Sequence, residues 1–544
     1  MRKSIVIIIA AIMTSCYKSG EADLIIHNAV IYSCDEDFTV HEAMAIKDGK
    51  ILQIGAEREI LNGYKCENII DAGKKPVYPG FHDAHCHFGG YANTLKDVDL
   101  IGTKSFDELV ARVVEFDKEF GYDRIVGRGW DQTMWPENEF PNNDTLNKLF
   151  PNKPVYLSRV DGHAALVNQK ALDIAGLKPD TLIEGGKIFV ENGKCTGILI
   201  DKADEFVQER VDKGAKDEEY LELLQMAEQN LFQVGLTSLN DAGISPADRK
   251  LKVKWYKNGD LKIKNYSMLG PHEENLKFAS DSGDFYAGNL HIRSFKLYSD
   301  GALGSRGACL IDPYSDDPGN YGLIINDTSE LRDIAEFAAE IGYQVNTHCI
   351  GDSANRFILK IYEDVIGSIN DHRWRIEHAQ VIHEDDFKYF EMYNIIPSVQ
   401  PTHATSDMRW AEDRLGAHRV QFAYAYKKLL DKAGMLALGT DFPVERINPL
   451  ETFYAAVARM DREGNPEGGF QMEDAISRED ALRGMTIWPA YSNFEEHKKG
   501  SLEAGKSADF VILTQDIMKI PVEEILTTFV ESTYLDGELV YSAE

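Results

Sequence analysis

The chain reads as an α/β protein: a (β/α)8 TIM barrel, a small β-sandwich domain built from both chain ends, and an insertion after barrel strand one. Three observations point there. Eight short apolar runs between residues 76 and 442, several followed by helical stretches, match the strand count of a parallel barrel. Segments near both chain ends alternate apolar and polar residues around DG turns, as antiparallel strands do. The first and second runs are separated by far more chain than one crossover needs, so residues from about 89 to 235 are expected to form an inserted subdomain.

Residues 1–16 open with Arg2 and Lys3, continue with the apolar run IVIIIAAIM and end in Thr14, Ser15 and Cys16. This is the layout of a secretory signal, too short to span a bilayer. Small residues directly before a cysteine resemble the lipobox of bacterial lipoproteins. That resemblance implies an exported chain lipidated on Cys16 and held at the cell envelope, in the periplasm or at the outer membrane; simple signal cleavage without a lipid is the alternative.

After Gly20 the stretch ADLIIHNAVIYSCDEDFTVHEAMAIKDGKILQIG reads as antiparallel strands, and GKSADFVILTQ and TYLDGELVYS do the same at the other end. Residues 23–75 and 490–544 are therefore expected to join into the sandwich. The barrel is expected over residues 76–489, with strands in VYPGFHDAH, LTSLNDAG, IKNYSMLG, SFKLYSDG, YQVNTHC, WRIEHAQ, IIPSVQP and MLALGTDF. Within the insert, RIVGRGW and PVYLSRV look like further strands, and DEEYLELLQMAEQNLFQVG like the helix leading back to the barrel.

At 544 residues the chain can bury a large core, and its apolar and charged fractions are those of a globular protein. A net charge of -31 with no cluster of Lys and Arg argues against nucleic acid as a partner. Beyond Cys16, the six cysteines are scattered with no CxxC and no regular spacing, so no disulfide framework is expected.

Barrel enzymes do their chemistry at the C-terminal ends of the strands, so the polar residues that end each run are the candidates. FHDAHCH places His85 and His87 two apart, which puts both imidazoles on one strand face. Run four carries Lys296, run five ends at His348, run six at His378 and run eight at Asp441. Imidazoles and a carboxylate suit two divalent metals, Zn first, with Mn, Fe, Co or Ni admitted by the same ligand logic. Lys296 is the odd member, because an ammonium repels a cation. Addition of carbon dioxide would turn it into a bidentate carboxylate able to bridge two metals; the alternative is a lysine ion-paired to Asp300 or Asp441 beside a single metal. A turn-forming Asp441 and ordinary buried histidines at 348 and 378 are the corresponding alternatives for those residues. Glu377 is expected to face away from His378, and Cys86 to be core. His403 and His82 are left out, because a complete ligand set exists without them.

His-x-His on strand one, Lys on four, His on five and six and Asp on eight resemble the binuclear branch of the amidohydrolase superfamily. FKLYSDGALGSR, VNTHCIGD, RIEHAQ, GTDFPVE, GRGWDQ, RVDGHAALVN and GSLEAGKSADFVIL narrow the resemblance to amidohydrolase family 3, with its YtcJ-like and N-substituted formamide deformylase-like proteins, from about residue 23 onward. The resemblance implies that His85, His87 and Asp441 hold one metal, His348 and His378 the other, and N6-carboxylated Lys296 bridges them. It further implies a metal-bridging hydroxide that attacks the carbonyl of a small-molecule amide, with Asp441 as base and then acid. The expected enzyme is a metal-dependent hydrolase of non-peptide C–N bonds in an amide, N-formyl or N-acyl amine. A deaminase or cyclic amidase of the same superfamily is one alternative, and a non-catalytic lipid-anchored small-molecule binding protein is another. Trp130, Asp131, Arg159, Asp161, His163 and Asn168 in the insert, with Arg306 after strand four, are expected to line the substrate pocket. The competing reading of RVDGHAALVN is a turn and helix start whose polar groups bind backbone. Homodimerisation is left open.

Overall fold

The computed structural model describes residues 20–543, apart from 138, 160–163, 184–185, 212–215, 305 and 369. Eight strands, β1 (Phe81–Cys86), β2 (Leu236–Ile244), β3 (Lys264–Leu269), β4 (Leu290–Tyr298), β5 (Gln344–Cys349), β6 (Arg375–His378), β7 (Ile396–Val399) and β8 (Ala437–Leu438), pair in that order. Every neighbouring pair is parallel. The sheet closes on itself where the segment after β8 meets β1: Asp441 donates its backbone N–H to His85 O at 2.8 Å, and His87 donates to Phe442 O at 2.8 Å. Burial on both faces explains why these strands read as near-continuous runs rather than alternating ones; all six residues of β1 and of β3 are buried.

Helices cover the strands, and their ends are written locally. In the helix Pro246–Asn258, Ser245 accepts from Asp248 N, proline sits in the first turn and Gly259 takes the left-handed conformation at the C-cap. The helix Thr328–Ile341 is capped by Asp327 and stopped by Gly342 in the same way.

The two chain ends form two sheets. One orders Lys50–Gly55, Ala43–Lys47, Leu24–His27 and Ile69–Asp71; the other orders Glu538–Ser542, Val530–Leu535, Phe510–Leu513, Pro76–Pro79, Val30–Tyr32 and Val40–His41. Leu24, Ile26, Ile31, Met44, Val77 and Phe510 share one buried cluster, and Phe510 stacks on Tyr534 at 4.3 Å. VYPGFHDAH is therefore not one strand. Its first part, Pro76–Pro79, pairs with Phe510–Leu513 in the sandwich, and only Phe81–Cys86 enters the barrel. Gly80 makes the switch, since a Cβ there would lie 2.2 Å from Thr237 Oγ1. The last run is also shorter than expected: within MLALGTDF only Ala437–Leu438 pairs as strand.

The chain divides into two compact units, residues 1–87 with 228–544, and residues 88–227. The second unit has a six-stranded sheet in the order Val98–Asp99, Ile125–Trp130, Val155–Arg159, Ala164–Val167, Lys194–Asp201 and Gly186–Glu191. Among the described residues no helix is long and apolar enough to cross a membrane.

Candidate metal centre

His85, His87, Lys296, His348, His378 and Asp441 meet at the C-terminal mouth of the barrel. β1 delivers His85 fully buried, with Nδ1 2.5 Å from Glu377 Oε2 and Nε2 3.1 Å from Lys296 Nζ. His87 Nδ1 lies 3.1 Å from the carbonyl of Ala242, and His378 Nδ1 2.7 Å from Gln400 Oε1. An imidazole whose Nδ1–H is spent on an acceptor presents the lone pair of Nε2 to the interior, the state a metal ligand requires. The rings crowd together, His85 and His378 with centroids 4.9 Å apart, His348 and His378 4.5 Å apart.

Asp441 occupies the centre. Its Oδ1 lies 3.3 Å from His87 Nε2 and 3.7 Å from His85 Nε2, and its Oδ2 3.8 Å from His403 Nε2. Tetrahedral donors on an ion with bonds of about 2.1 Å sit about 3.4 Å apart, so these separations suit ligands of a shared cation better than hydrogen bonds. Among the described residues, Asp441 Oδ1, His348 Nε2 and His403 Nε2 are buried without a hydrogen-bond partner. Buried polar atoms left so cost about 1–3 kcal/mol each, a cost that bound divalent cations would offset. Two donor groups, His85 with His87 and Asp441, and His378 with His403 and Asp441, each place their ligand atoms within 4.8 Å of one another.

The electrostatics favour ligation. Burial pushes His85 down to about 4, helped by the Lys296 charge, and His348 down to about 3, so both are neutral ligands at ordinary pH. Burial tends to raise Asp441, yet the imidazoles of His87 and His85 hold it well below the usual carboxylate range. Burial brings Lys296 down to about 8, against the pull of Glu377 and Asp441. Among the described residues Lys296 has no carboxylate within ion-pair distance. Asp300 is instead engaged by the backbone N–H groups of Cys309, Ile350 and Gly351 at 2.8, 2.9 and 2.8 Å, which orders the turn after β5.

Several residues outside the expected set hold it together. Glu377 does not face away: it binds His85 and is clamped by Arg375, whose guanidinium nitrogens lie 2.6 and 2.7 Å from Oε1. Strand alternation breaks here because His378 has φ of 73°, so the chain leaves the strand at that residue and both side chains serve the interior. Asp83 takes Thr440 Oγ1–H at 2.7 Å and His85 N–H at 3.1 Å, tying β1 to the segment after β8. His403 has a weak sequence signal, since it stands just after β7, a strand to which, like β2 and β3, no ligand was assigned. Cys86 and His82 are buried packing residues, bonded to Asn240.

The expected pocket wall fares differently. Trp130 is fully buried in the core of the insert, its indole N–H donating to Leu157 O at 2.8 Å and its ring stacked on Trp135, so it is a core residue and not a pocket wall. Arg159 pairs with Asp131 at 2.6 Å and with Gln132 at 2.8 Å inside the same unit. Asn168 caps the helix Gln169–Ala175 and accepts from Val155 N, the backbone-binding reading of that motif. Asp161 and His163 lie outside the described residues. Arg306 forks onto Asp316 at 2.9 and 3.2 Å rather than presenting a free guanidinium.

Comparison with known proteins gives this geometry a lineage. The chain is 33% identical to Protein LONG AFTER FAR-RED 3 of Arabidopsis thaliana over 96% of its own length and 92% of that protein. It is 27% identical to the N-substituted formamide deformylase of Arthrobacter pascens, covering 95% of this chain and 98% of that enzyme. The crystal structure of an uncharacterized metal-dependent hydrolase from Pyrococcus horikoshii superposes with a TM-score of 0.78 at 30% identity, over 92% of this chain and 99% of that one. Residues 68–541 match the profile described as Amidohydrolase family, and with a parallel eight-stranded barrel that gathers histidines and an aspartate at its mouth, the chain belongs to the amidohydrolase family, as a metal-dependent hydrolase.

Proposed function

We propose that the protein hydrolyses a C–N bond other than a peptide bond in a small molecule, an N-formyl or N-acyl amine being the favoured substrate. The observation that carries this reading is the cluster of buried, unpartnered donor atoms around Asp441. The likeness to a relative named for deformylation of N-substituted formamides points to the substrate class.

In this reading His85, His87 and Asp441 would hold one divalent cation and His348 and His378 the second, and carboxylated Lys296 would supply a further carboxylate to them. Two such cations, Zn2+ or a first-row neighbour, would supply a water of lowered pKa and a Lewis acid for the substrate carbonyl. Asp441, ionised among imidazoles, accepts the proton of the attacking water and passes it to the leaving nitrogen. The neutral amine of Lys296 adds to carbon dioxide, forming an N–C bond and releasing one proton, which leaves a carbamate anion in place of a buried ammonium. Glu377 fixes the ring of His85, and Gln400 that of His378.

The test is a metal analysis of the purified protein joined to a panel of N-formyl and N-acyl amines, read by release of free amine. Two metal equivalents per chain with amine release are expected. A fully loaded protein that turns over no amide, ester or lactone would overturn the assignment and leave a binding protein in its place. We also propose export and lipidation on Cys16, supported by the basic, apolar and small-residue order of residues 1–16.

A further inference from the structure

The chain after β7 carries a donor that the six-residue set omits. His403 lies in the helix Pro401–Asp407, which starts with proline in its first turn directly after the strand. The helix is held firmly: Tyr426 donates its hydroxyl to Gln400 O at 2.9 Å, and Tyr424 to Asp407 at 2.7 Å. His403 stacks on His378 with ring centroids 6.0 Å apart. Its Nε2 is buried and, among the described residues, makes no hydrogen bond. An unpartnered buried nitrogen is not decisive by itself, since His82 Nδ1 is another, so the weight falls on what His403 Nε2 faces.

The direction of approach is informative. Asp441 turns Oδ1 toward His85 and His87 and Oδ2 toward His403. Three imidazoles therefore converge on two different oxygens of one carboxylate. The 3.8 Å between His403 Nε2 and Oδ2 is too long for a hydrogen bond and close to the spacing of about 3.4 Å between donors on one tetrahedral ion. His378, with its Nδ1 at hydrogen-bond distance from Gln400, completes a group of three donor atoms within 4.8 Å of each other.

We infer that His403 Nε2 is a ligand of the second cation, beside His378 and Asp441 Oδ2, so that Asp441 is shared by both ions. This rests on the metal-dependent reading above and specifies it. Imidazoles together with a carboxylate oxygen select a borderline divalent ion such as Zn2+ or Co2+ over Mg2+ or Ca2+.

Titration of the metal-free protein with Co2+ in bicarbonate buffer, followed by calorimetry and by the visible d–d absorption, tests the assignment. Wild type is expected to bind two equivalents. His403→Ala should retain one and weaken the other at least about tenfold, with a changed visible band, and added imidazole should restore it. Thermal melts of the metal-free variants check folding, and His403→Gln serves if the alanine variant does not fold. Two equivalents with wild-type affinity and spectrum in either folded variant would overturn the role of His403 alone. A wild type that binds no Co2+ would overturn the metal-dependent reading with it.

Discussion

At the scale of single residues, Asp441, Lys296 and Glu377 divide the work. Asp441→Asn keeps an oxygen ligand but loses the proton acceptor. Turnover should fall by about 10²–10⁴-fold while much of the metal remains, measured by amine release and atomic absorption on the same sample. Lys296→Ala should lose metal and regain it when a short carboxylate such as formate is supplied. Because the folded protein lowers Lys296 to about 8 from 10.5, the neutral amine grows as pH rises through 8, so at a fixed concentration of dissolved carbon dioxide metal loading should be faster at about pH 9 than at about pH 7. Glu377 shows the opposite kind of shift: burial would raise it, but Arg375 and His85 bring it down to about 2 from 4.5. A carboxylate lowered by folding contributes stability that is complete above about 4.5 and lost as pH falls toward about 2. Metal-free Glu377→Gln should accordingly show a shallower loss of stability across that window than wild type, by urea titration at stepped pH.

At the scale of elements, the seam between β1 and the segment after β8 places the centre. Gly439 is the close-approach residue there, because a Cβ would lie 2.5 Å from His85 N and 2.8 Å from Asp83 Oδ1. The contact is with backbone, which cannot rotate away. Gly439→Ala should destabilise by about 1–3 kcal/mol and weaken metal binding together, read as a lowered urea midpoint and a reduced metal content. Retention of full metal with unchanged stability would show that the seam has slack. β8 is only two residues long, so Thr440 and Asp441 lie beyond the strand in irregular backbone, with Asp441 at φ of 62° and its carboxylate beside His85 and His87 of the β1 segment. A longer eighth strand would have kept the regular alternation and sent the carboxylate elsewhere.

At the scale of the whole molecule, the proposed anchor gives one expectation: wild type should partition to the membrane fraction, and Cys16→Ala to the soluble fraction, on export in a bacterial host. The eight-strand order, the insertion after β1 and the pairing of both chain ends were legible in the sequence, because strand length, apolar run and turn residues are local signals. So were the polar residues that end the strands, since they sit beside the runs that carry them. Which donors meet was not legible. The centre draws on β1, β4, β5, β6 and the segments after β7 and β8, far apart in the chain, so their convergence depends on barrel closure. Backbone at positive φ turned His378 and Asp441 inward against strand alternation, brought Glu377 onto His85 and left His403 opposite the second carboxylate oxygen. The sequence by itself determined the fold and the chemical kind of the site; the tertiary structure decided its membership, because a metal centre is selected by donor distances that no local pattern encodes.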